Sequence, residues 1–148
     1  MSSYVPSHAG VCVSDFDRAV RFYCDGLGFE LAERFDLDST QLPGLERGLE
    51  VDGPVQVVSQ MIVNGPMKIE LLFYPGRAPV GVPSTSRGLL GLTHLSFYVD
   101  DVDRAAVRLV EHGGTLIEGT RADVGIPIVF LTDPDGTRVE LMGQAPEA

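Results

Sequence analysis

Two histidines and two glutamates recur at matching positions of this 148-residue chain. His8 and His94 each follow a hydroxyl residue and precede an alternating stretch that leads into an acidic helix start. Glu70 lies in the run IELL, and Glu140 lies in the run VELM. Imidazole and carboxylate groups bind divalent metals and act as acids and bases. The pattern therefore predicts one His–Glu pair in each half of the chain.

The two halves are copies of one another, related by an offset of 86 residues. The alignment runs without a gap from Ser7 and Thr93 to Leu31 and Ile117. Average residue usage would give about one or two identities over such a stretch. Seven positions are identical: His8/His94, Val13/Val99, Asp15/Asp101, Asp17/Asp103, Arg18/Arg104, Ala19/Ala105 and Gly28/Gly114. The closing strands match at an offset of 70, so the first copy is longer by 16 residues. The chain is an internal duplication.

Periodicity and turn residues predict an α+β fold of two tandem βαβββ modules in a single domain. The first module spans residues 4–74. An inserted loop at 36–53, in which a short helical turn is an alternative, is expected to influence substrate choice. A Pro- and Gly-rich linker covers 75–91, and the second module spans 92–143. Expected helices cover 14–27 and 101–112. Expected strands cover 8–13, 29–35, 55–63 and 67–74 in the first module, and 93–99, 115–118, 126–132 and 137–142 in the second.

Strand parity places each of the four candidate ligands on the polar face of its strand. Side chains alternate along a strand, and the neighbours of His8, His94, Glu70 and Glu140 are apolar. The apolar face is expected to pack beneath helices, which leaves the ligands on the polar face. Two imidazoles and two carboxylates suit an octahedral divalent ion with two open positions for a substrate with neighbouring oxygens. Substrate contacts are predicted for Lys68, Tyr74, Tyr98 and Arg138 on that face, and for Arg121 on a loop.

Composition excludes several partners. A net charge of −10 argues against nucleic acid and against an anionic membrane surface. No apolar run approaches the roughly 20 residues of a membrane span, and the N-terminus has no signal-peptide layout, so a cytoplasmic protein is expected. Cys12 and Cys24 do not make a disulfide framework, and both are expected to be buried thiols.

At these residues the chain resembles the vicinal oxygen chelate superfamily. That superfamily includes glyoxalases, type I extradiol dioxygenases, methylmalonyl-CoA epimerases, and fosfomycin and bleomycin resistance proteins. The resemblance lies in residues 8–23, 26–29, 93–103 and 133–136 and in Glu140. It implies paired βαβββ modules that form an incomplete mixed-sheet barrel around one divalent metal ion (Ni, Co, Zn, Mn or Fe). It also implies a homodimer, a small-molecule substrate and the ligand set His8, Glu70, His94 and Glu140.

The ligand set looks most like that of bacterial glyoxalase I, a lyase that isomerises a hemithioacetal. That resemblance implies that Glu140 or Glu70 takes and returns a proton while the substrate is enolised. The Asn-Trp segment of glyoxalase I is replaced here by residues 73–77, FYPGR, so the thiol of the substrate stays open. We expect a divalent-metal-dependent, glyoxalase-like lyase or isomerase. The alternatives are an enzyme like methylmalonyl-CoA epimerase, and a drug-binding resistance protein of the bleomycin-resistance kind.

Overall fold

The computed structural model describes residues 3–144. These residues form a mixed α+β structure with one four-stranded and one five-stranded sheet, which confirms the predicted fold class. The strands are β1 Ala9–Cys12, β2 Glu30–Asp38, β3 Gln56–Asn64, β4 Met67–Phe73, β5 Leu95–Val99, β6 Thr115–Leu116, β7 Ala122–Asp123, β8 Pro127–Thr132 and β9 Arg138–Gly143. The α-helices are α1 Phe16–Val20, α2 Leu45–Leu49 and α3 Val102–Glu111, and α1 continues as a π-helical segment, Arg21–Gly26.

The described residues divide into two units, each with its own sheet. The first unit contains residues 3–16 and 28–80, and the second contains residues 17–27 and 81–144. Most of the first helix therefore clusters with the sheet of the second copy rather than with the sheet that flanks it in the sequence.

The sheet of the first unit has the order β1-β4-β3-β2, with β1 parallel to β4 and the other neighbours antiparallel. Alternate residues of β4 are buried, as the parity of the sequence predicts: Ile69 and Leu71 have no exposed surface. Gly65 lies in the turn that joins β3 to β4, and it has a positive φ of 54° that suits glycine.

The sheet of the second unit repeats this order as β5-β9-β8-β6, and β7 pairs with β8. β5 is parallel to β9, so Ser96 lies opposite Glu140 as Gly10 lies opposite Glu70 in the first unit. Val139 is fully buried in β9 and Leu141 nearly so. The same hydrophobic alternation thus produces the same register in both copies.

The core of the second unit is closed by residues from both copies of the repeat. Phe22 and Tyr23 are fully buried there, and Leu109 of α3 is 2% exposed. A Cβ atom on Gly114 would lie 2.8 Å from Cε2 of Phe22, so only glycine lets the ring approach this closely.

Arginines connect the ends of the two helices in this unit. Arg21 donates from Nη2 to the carbonyl of Glu111 over 2.7 Å, at the end of α3. Arg108 donates to the carbonyls of Asp25 and Gly26, at the end of the π-helical segment. Each helix thus receives a cation at its carboxyl end, where unpaired carbonyls and the helix dipole favour positive charge.

A buried Tyr–Asp hydrogen bond joins the first helix to the turn before β9. The Tyr23 hydroxyl donates to Oδ2 of Asp133 over 2.8 Å, and Asp133 is 1% exposed. The other oxygen of Asp133 accepts the backbone N–H groups of Asp135 and Thr137 over 2.9 and 2.8 Å. Burial raises the pKa of Asp133 above its ordinary value, and burial followed by the Asp133 charge raises that of Tyr23 well above 10.

Several local expectations differ from the structure. The first helix is α-helical only to Val20, because the N–H of Leu27 bonds to the carbonyl five residues earlier, at Phe22. The spacing of apolar residues does not distinguish this π-helical hydrogen bond from the α-helical pattern. The insertion at 36–53 contains the short helical turn that the sequence left open, α2 Leu45–Leu49, but β2 extends into it as far as Asp38. The short strand β7 was not predicted.

The expectation that both cysteines are buried was wrong. Cys12 and Cys24 are not joined in a disulfide, but Cys12 is exposed and Cys24 is only partly buried. Cys12 lies on the same strand as Gly10 and two residues away, so it shares the polar face rather than the apolar one. In the part of the chain that the structure describes, no helix is long and apolar enough to cross a membrane.

Candidate functional site

The first His–Glu pair lies at the start of β1. His8 immediately precedes this strand, which runs parallel to β4 with Gly10 opposite Glu70. Nε2 of His8 lies 3.7 Å from Oε1 of Glu70, with 30% and 19% of the two side chains exposed. That distance is longer than a hydrogen bond, and it leaves both atoms partly accessible.

The second pair repeats this arrangement in the other unit. His94 immediately precedes β5, and Nε2 of His94 lies 3.9 Å from Oε1 of Glu140. The two side chains are 26% and 16% exposed. The edge of the His94 ring meets the ring of Phe130, with centroids 5.3 Å apart and planes at 84°. Parallel pairing of the first and last strands therefore joins histidine to glutamate in both copies.

The hydroxyl residue before each histidine orients its ring. Oγ of Ser7 lies 2.8 Å from Nδ1 of His8, and Oγ1 of Thr93 lies 2.8 Å from Nδ1 of His94. Since Nδ1 is occupied in each ring, Nε2 is the nitrogen that faces the glutamate. This partner arrangement is the kind that fixes the tautomer and direction of a metal-binding imidazole.

A serine holds each glutamate, but from different strands. Ser59 on β3 donates to Oε2 of Glu70 over 2.7 Å, so the oxygen facing His8 keeps its lone pairs. Ser96 on β5 donates to Oε1 of Glu140, also over 2.7 Å, and that oxygen is the one nearest His94. Gly10 occupies the position of Ser96 in the first copy. The two glutamates are therefore similar in place but differ in which oxygen is hydrogen bonded.

The five predicted substrate-binding residues fall into two groups. Lys68 pairs with Glu33 over 3.2 Å, Arg121 pairs with Asp103 over 2.9 Å, and Tyr98 is 64% exposed. No contact places these three beside a His–Glu pair, so their role stays a prediction.

Tyr74 and Arg138, by contrast, lie near the predicted ligands. Burial, followed by the charges of Cys12 and Glu70, raises the pKa of the Tyr74 hydroxyl, which places that hydroxyl within electrostatic reach of Glu70. Arg138 is two residues from Glu140 on β9. Its Nε and Nη2 donate to the carbonyls of Ser84 and Thr85.

Arg138 has a second cation beside it. Burial, followed by the charge of Arg87, lowers the pKa of the Arg138 guanidinium. The guanidinium of Arg87 stacks 4.8 Å from the centroid of the Phe130 ring, the ring that meets His94. Within residues 3–144, Nη1 of Arg138 is enclosed and has no hydrogen-bond partner.

Sequence reasoning did not identify Arg87, Ser59 or the orienting roles of Ser7 and Thr93. The hydroxyl residue before each histidine repeats at the offset of 86, and that repetition was the available signal. Arg87 lies in the region expected to be a linker, and Ser59 lies in a strand without a matching serine in the second copy. Neither of these residues has a signal in the sequence pattern.

Among the described residues, no group of three or more His, Cys, Asp or Glu side chains gathers where one ion could be held. The structure thus presents the four predicted ligands as two pairs, one in each unit, and each pair is described by itself.

A family model matches residues 6–141, almost the whole chain. The chain belongs to the Glyoxalase/Bleomycin resistance protein/Dioxygenase superfamily. This assignment confirms the resemblance found in the sequence, and members of this superfamily include enzymes of different chemistry.

Three curated relatives illustrate this range within the superfamily. The chain is 30% identical to the uncharacterized protein YaeR of Escherichia coli K12, covering 93% of this chain and 94% of that one. It is 26% identical to a probable lactoylglutathione lyase of Synechocystis, covering 91% and 92% of the two chains. It is 30% identical to a 2-epi-5-epi-valiolone epimerase of an Actinomyces species, covering 91% and 76%.

The fold is also that of solved members of the superfamily. A glyoxalase family protein from Bacillus cereus superposes with a TM-score of 0.77 over 97% of this chain and 95% of the other, at 21% identity. At this identity the similarity concerns the fold alone.

Proposed function

We propose that this protein is a divalent-metal-dependent lyase or isomerase of the glyoxalase type, acting on a small substrate that chelates the metal through two oxygens. The observation that carries the proposal is the repeated pair, in which an oriented imidazole Nε2 faces a carboxylate held by serine. The ligands would be His8, Glu70, His94 and Glu140, and the chain would bind one ion.

The donor set fits such an ion. Each Nε2–Oε1 separation, 3.7 Å in one pair and 3.9 Å in the other, exceeds hydrogen-bond range. Both separations are shorter than twice a metal–ligand bond of about 2.1 Å, so one ion can contact both atoms of a pair. Neutral imidazole and carboxylate suit Ni, Co, Zn, Mn or Fe, and no thiolate is involved. When bound, the ion would supply electrophilic stabilisation of the negative charge that develops on the substrate oxygens.

The remaining chemistry belongs to the side chains of the protein. Glu140 or Glu70 would remove the proton next to the substrate carbonyl and return it to the neighbouring carbon, first as a base and then as an acid. Ser96 and Ser59 each hold one oxygen of a carboxylate, which limits its rotation. In Glu70 the other oxygen faces His8, whereas in Glu140 the held oxygen is the one nearest His94. Tyr74 stays protonated because its pKa is raised, so it can donate to a substrate oxygen.

A second candidate is an epimerase that uses the same proton removal and return. The relative named 2-epi-5-epi-valiolone epimerase favours it. A drug-binding protein without catalysis is less well supported, because the repeated, oriented His–Glu pairs are not needed to hold a drug. We further propose a cytoplasmic homodimer, which sedimentation and cell fractionation would test.

Metal analysis of the purified protein tests the proposal first. We expect one divalent ion per chain, and we expect the Glu140→Gln and Glu70→Gln variants to lose most of it. The matched control is Glu118→Gln, because Glu118 is exposed and lies outside both pairs. Two ions per chain would contradict shared ligation, and unchanged metal content in both glutamine variants would overturn the metal site.

Solvent deuterium exchange tests the chemistry. We expect exchange into a hemithioacetal of a 2-oxoaldehyde, reduced about 10²- to 10⁴-fold in Glu140→Gln, the usual contribution of a general base. Exchange into methylmalonyl-CoA instead would favour the epimerase. Exchange into neither substrate, from a protein with full metal content, would contradict both activities.

A further inference from the structure

We propose that Arg138 and Arg87 form a binding site for an anionic group, a carboxylate or a phosphate, carried by the substrate. Its place beside the reacting atoms rests on the proposed metal-dependent function, whereas the anion binding itself does not. The site lies wholly within the second unit.

The first argument is charge balance. The chain has 21 acidic and 11 basic residues, so carboxylates are abundant. Five of the basic side chains pair with carboxylates: Arg18, Arg34, Lys68, Arg104 and Arg121. Within residues 3–144, neither Arg87 nor Arg138 has such a partner, and Arg138 is bonded to the carbonyls of Ser84 and Thr85, just before Arg87 in the chain. Two adjacent cations without an anion are an unfavourable arrangement that a bound anion would relieve.

The second argument is an unused donor. The Arg138 guanidinium is held by two carbonyls, of Ser84 and Thr85, which orient it but do not neutralise it. Its Nη1 is enclosed and, among the described residues, donates to nothing. Buried polar groups without partners are uncommon and costly. The planar fork of arginine matches the two oxygens of a carboxylate or phosphate, and such bonds are strong when the site excludes water.

The third argument is access. Arg87 is exposed, and in the part of the chain described here its side chain makes no hydrogen bond, only the stacking contact with Phe130. The Arg87 guanidinium is therefore available to an anion that approaches Arg138 from solvent.

Position links the anion site to the proposed chemistry. Arg138 and Glu140 are two residues apart on β9 and share a face, so they are separated by roughly 7 Å along the strand. Arg87 stacks on the ring that meets His94. A substrate that reaches both groups would carry its anionic group only a few bonds from the chelating oxygens. The class is therefore a small acid or phosphate ester.

The experiment is a titration of metal-free protein with inorganic phosphate and, separately, with succinate, followed by calorimetry and by the NMR signals of the arginine Nε–H groups. We expect saturable binding that weakens at least tenfold in Arg138→Gln and in Arg87→Gln. Arg104→Gln is the matched control, because Arg104 is 85% exposed and the charge change is the same. The stronger of the two probes identifies the anion as phosphate or carboxylate.

Two further variants separate this proposal from the proposed function. Arg138→Gln should retain full metal content, whereas Glu140→Gln should lose metal but bind the anion at least as well as the wild type. No saturable binding of either probe, or an equal loss in Arg104→Gln, would overturn the anion site. If Arg138→Gln fails to fold, Arg87→Gln decides, because Arg87 is exposed and its removal leaves the core unchanged.

Discussion

The hydrogen bond between Tyr23 and Asp133 is expected to be among the larger polar contributions to stability in the second unit. Tyr23 has no exposed surface and Asp133 is 1% exposed, and their oxygens are 2.8 Å apart. Tyr23→Phe removes the hydroxyl and keeps the ring, so no cavity forms. A hydrogen bond to a charged group contributes about 1.5–3 kcal/mol. We expect the variant to lose about 2–3 kcal/mol of unfolding free energy, or roughly 4–12 °C in Tm for a chain of this length.

The loss should depend on pH. The Tyr23 hydroxyl lowers the pKa of Asp133, although burial leaves the net pKa above the ordinary 3.8. The variant raises the folded-state pKa further. A group with a raised folded pKa contributes stability at low pH and loses it as pH rises through that pKa. The difference in unfolding free energy between variant and wild type should therefore be smallest near pH 3.8 and grow as the pH rises above it.

Urea unfolding across this pH range is the measurement, with Tyr98→Phe as the control because that ring is 64% exposed. The control should change stability by less than about 0.5 kcal/mol. A loss below about 0.5 kcal/mol in Tyr23→Phe at neutral pH, or a loss that does not vary with pH, would refute the reasoning.

Three other predictions concern packing and the proposed metal site. Gly114→Ala should lower the free energy of unfolding by about 1–3 kcal/mol, because its Cβ would lie 2.8 Å from Phe22. Gly48→Ala, with open space around it in α2, should raise the free energy of unfolding by about 0.4–1 kcal/mol. Urea unfolding of both variants tests this, and equal changes would contradict it. Ser96→Ala and Ser59→Ala should each weaken Co²⁺ binding about 10- to 100-fold in calorimetry, and unchanged affinity would remove these serines from the site. A divalent ion at about 100 times its Kd should raise the unfolding free energy by about 2.7 kcal/mol, and a chelator should reverse this increase. A Tm that changes with neither the ion nor the chelator would argue against binding.

The repeat in the sequence was sufficient to predict the two pairs. Identical spacing from His8 and His94 to the helix starts, together with the matching runs around Glu70 and Glu140, predicted one His and one Glu in each module but not the strand order of the sheets. The parallel pairing of β1 with β4 and of β5 with β9 then brings histidine and glutamate together. Strand parity is a local property of the backbone, which is why it could be predicted from the sequence.

The unpredicted features depend on contacts between distant residues. Clustering of residues 17–27 with the second copy's sheet depends on Phe22 meeting Gly114 and on the bond from Tyr23 to Asp133. Neither contact has a local pattern. Arg87 and Arg138 are 51 positions apart in the numbering and come together because the carbonyls of Ser84 and Thr85, just before Arg87, bind the Arg138 guanidinium. Composition alone suggested only a linker there.

The assignment of residues 17–27 to the second unit has a consequence for synthesis on the ribosome. Tyr23 is separated by 110 residues from Asp133, its buried partner. At about 5–20 residues per second, the partner is made roughly 5–20 s after the tyrosine. During that interval Phe22 and Tyr23 have no core to pack into, so the apolar side of the nascent helix stays exposed. The second unit therefore completes its core only after Asp133 has been made, and until then the early segment is a site where a chaperone would act.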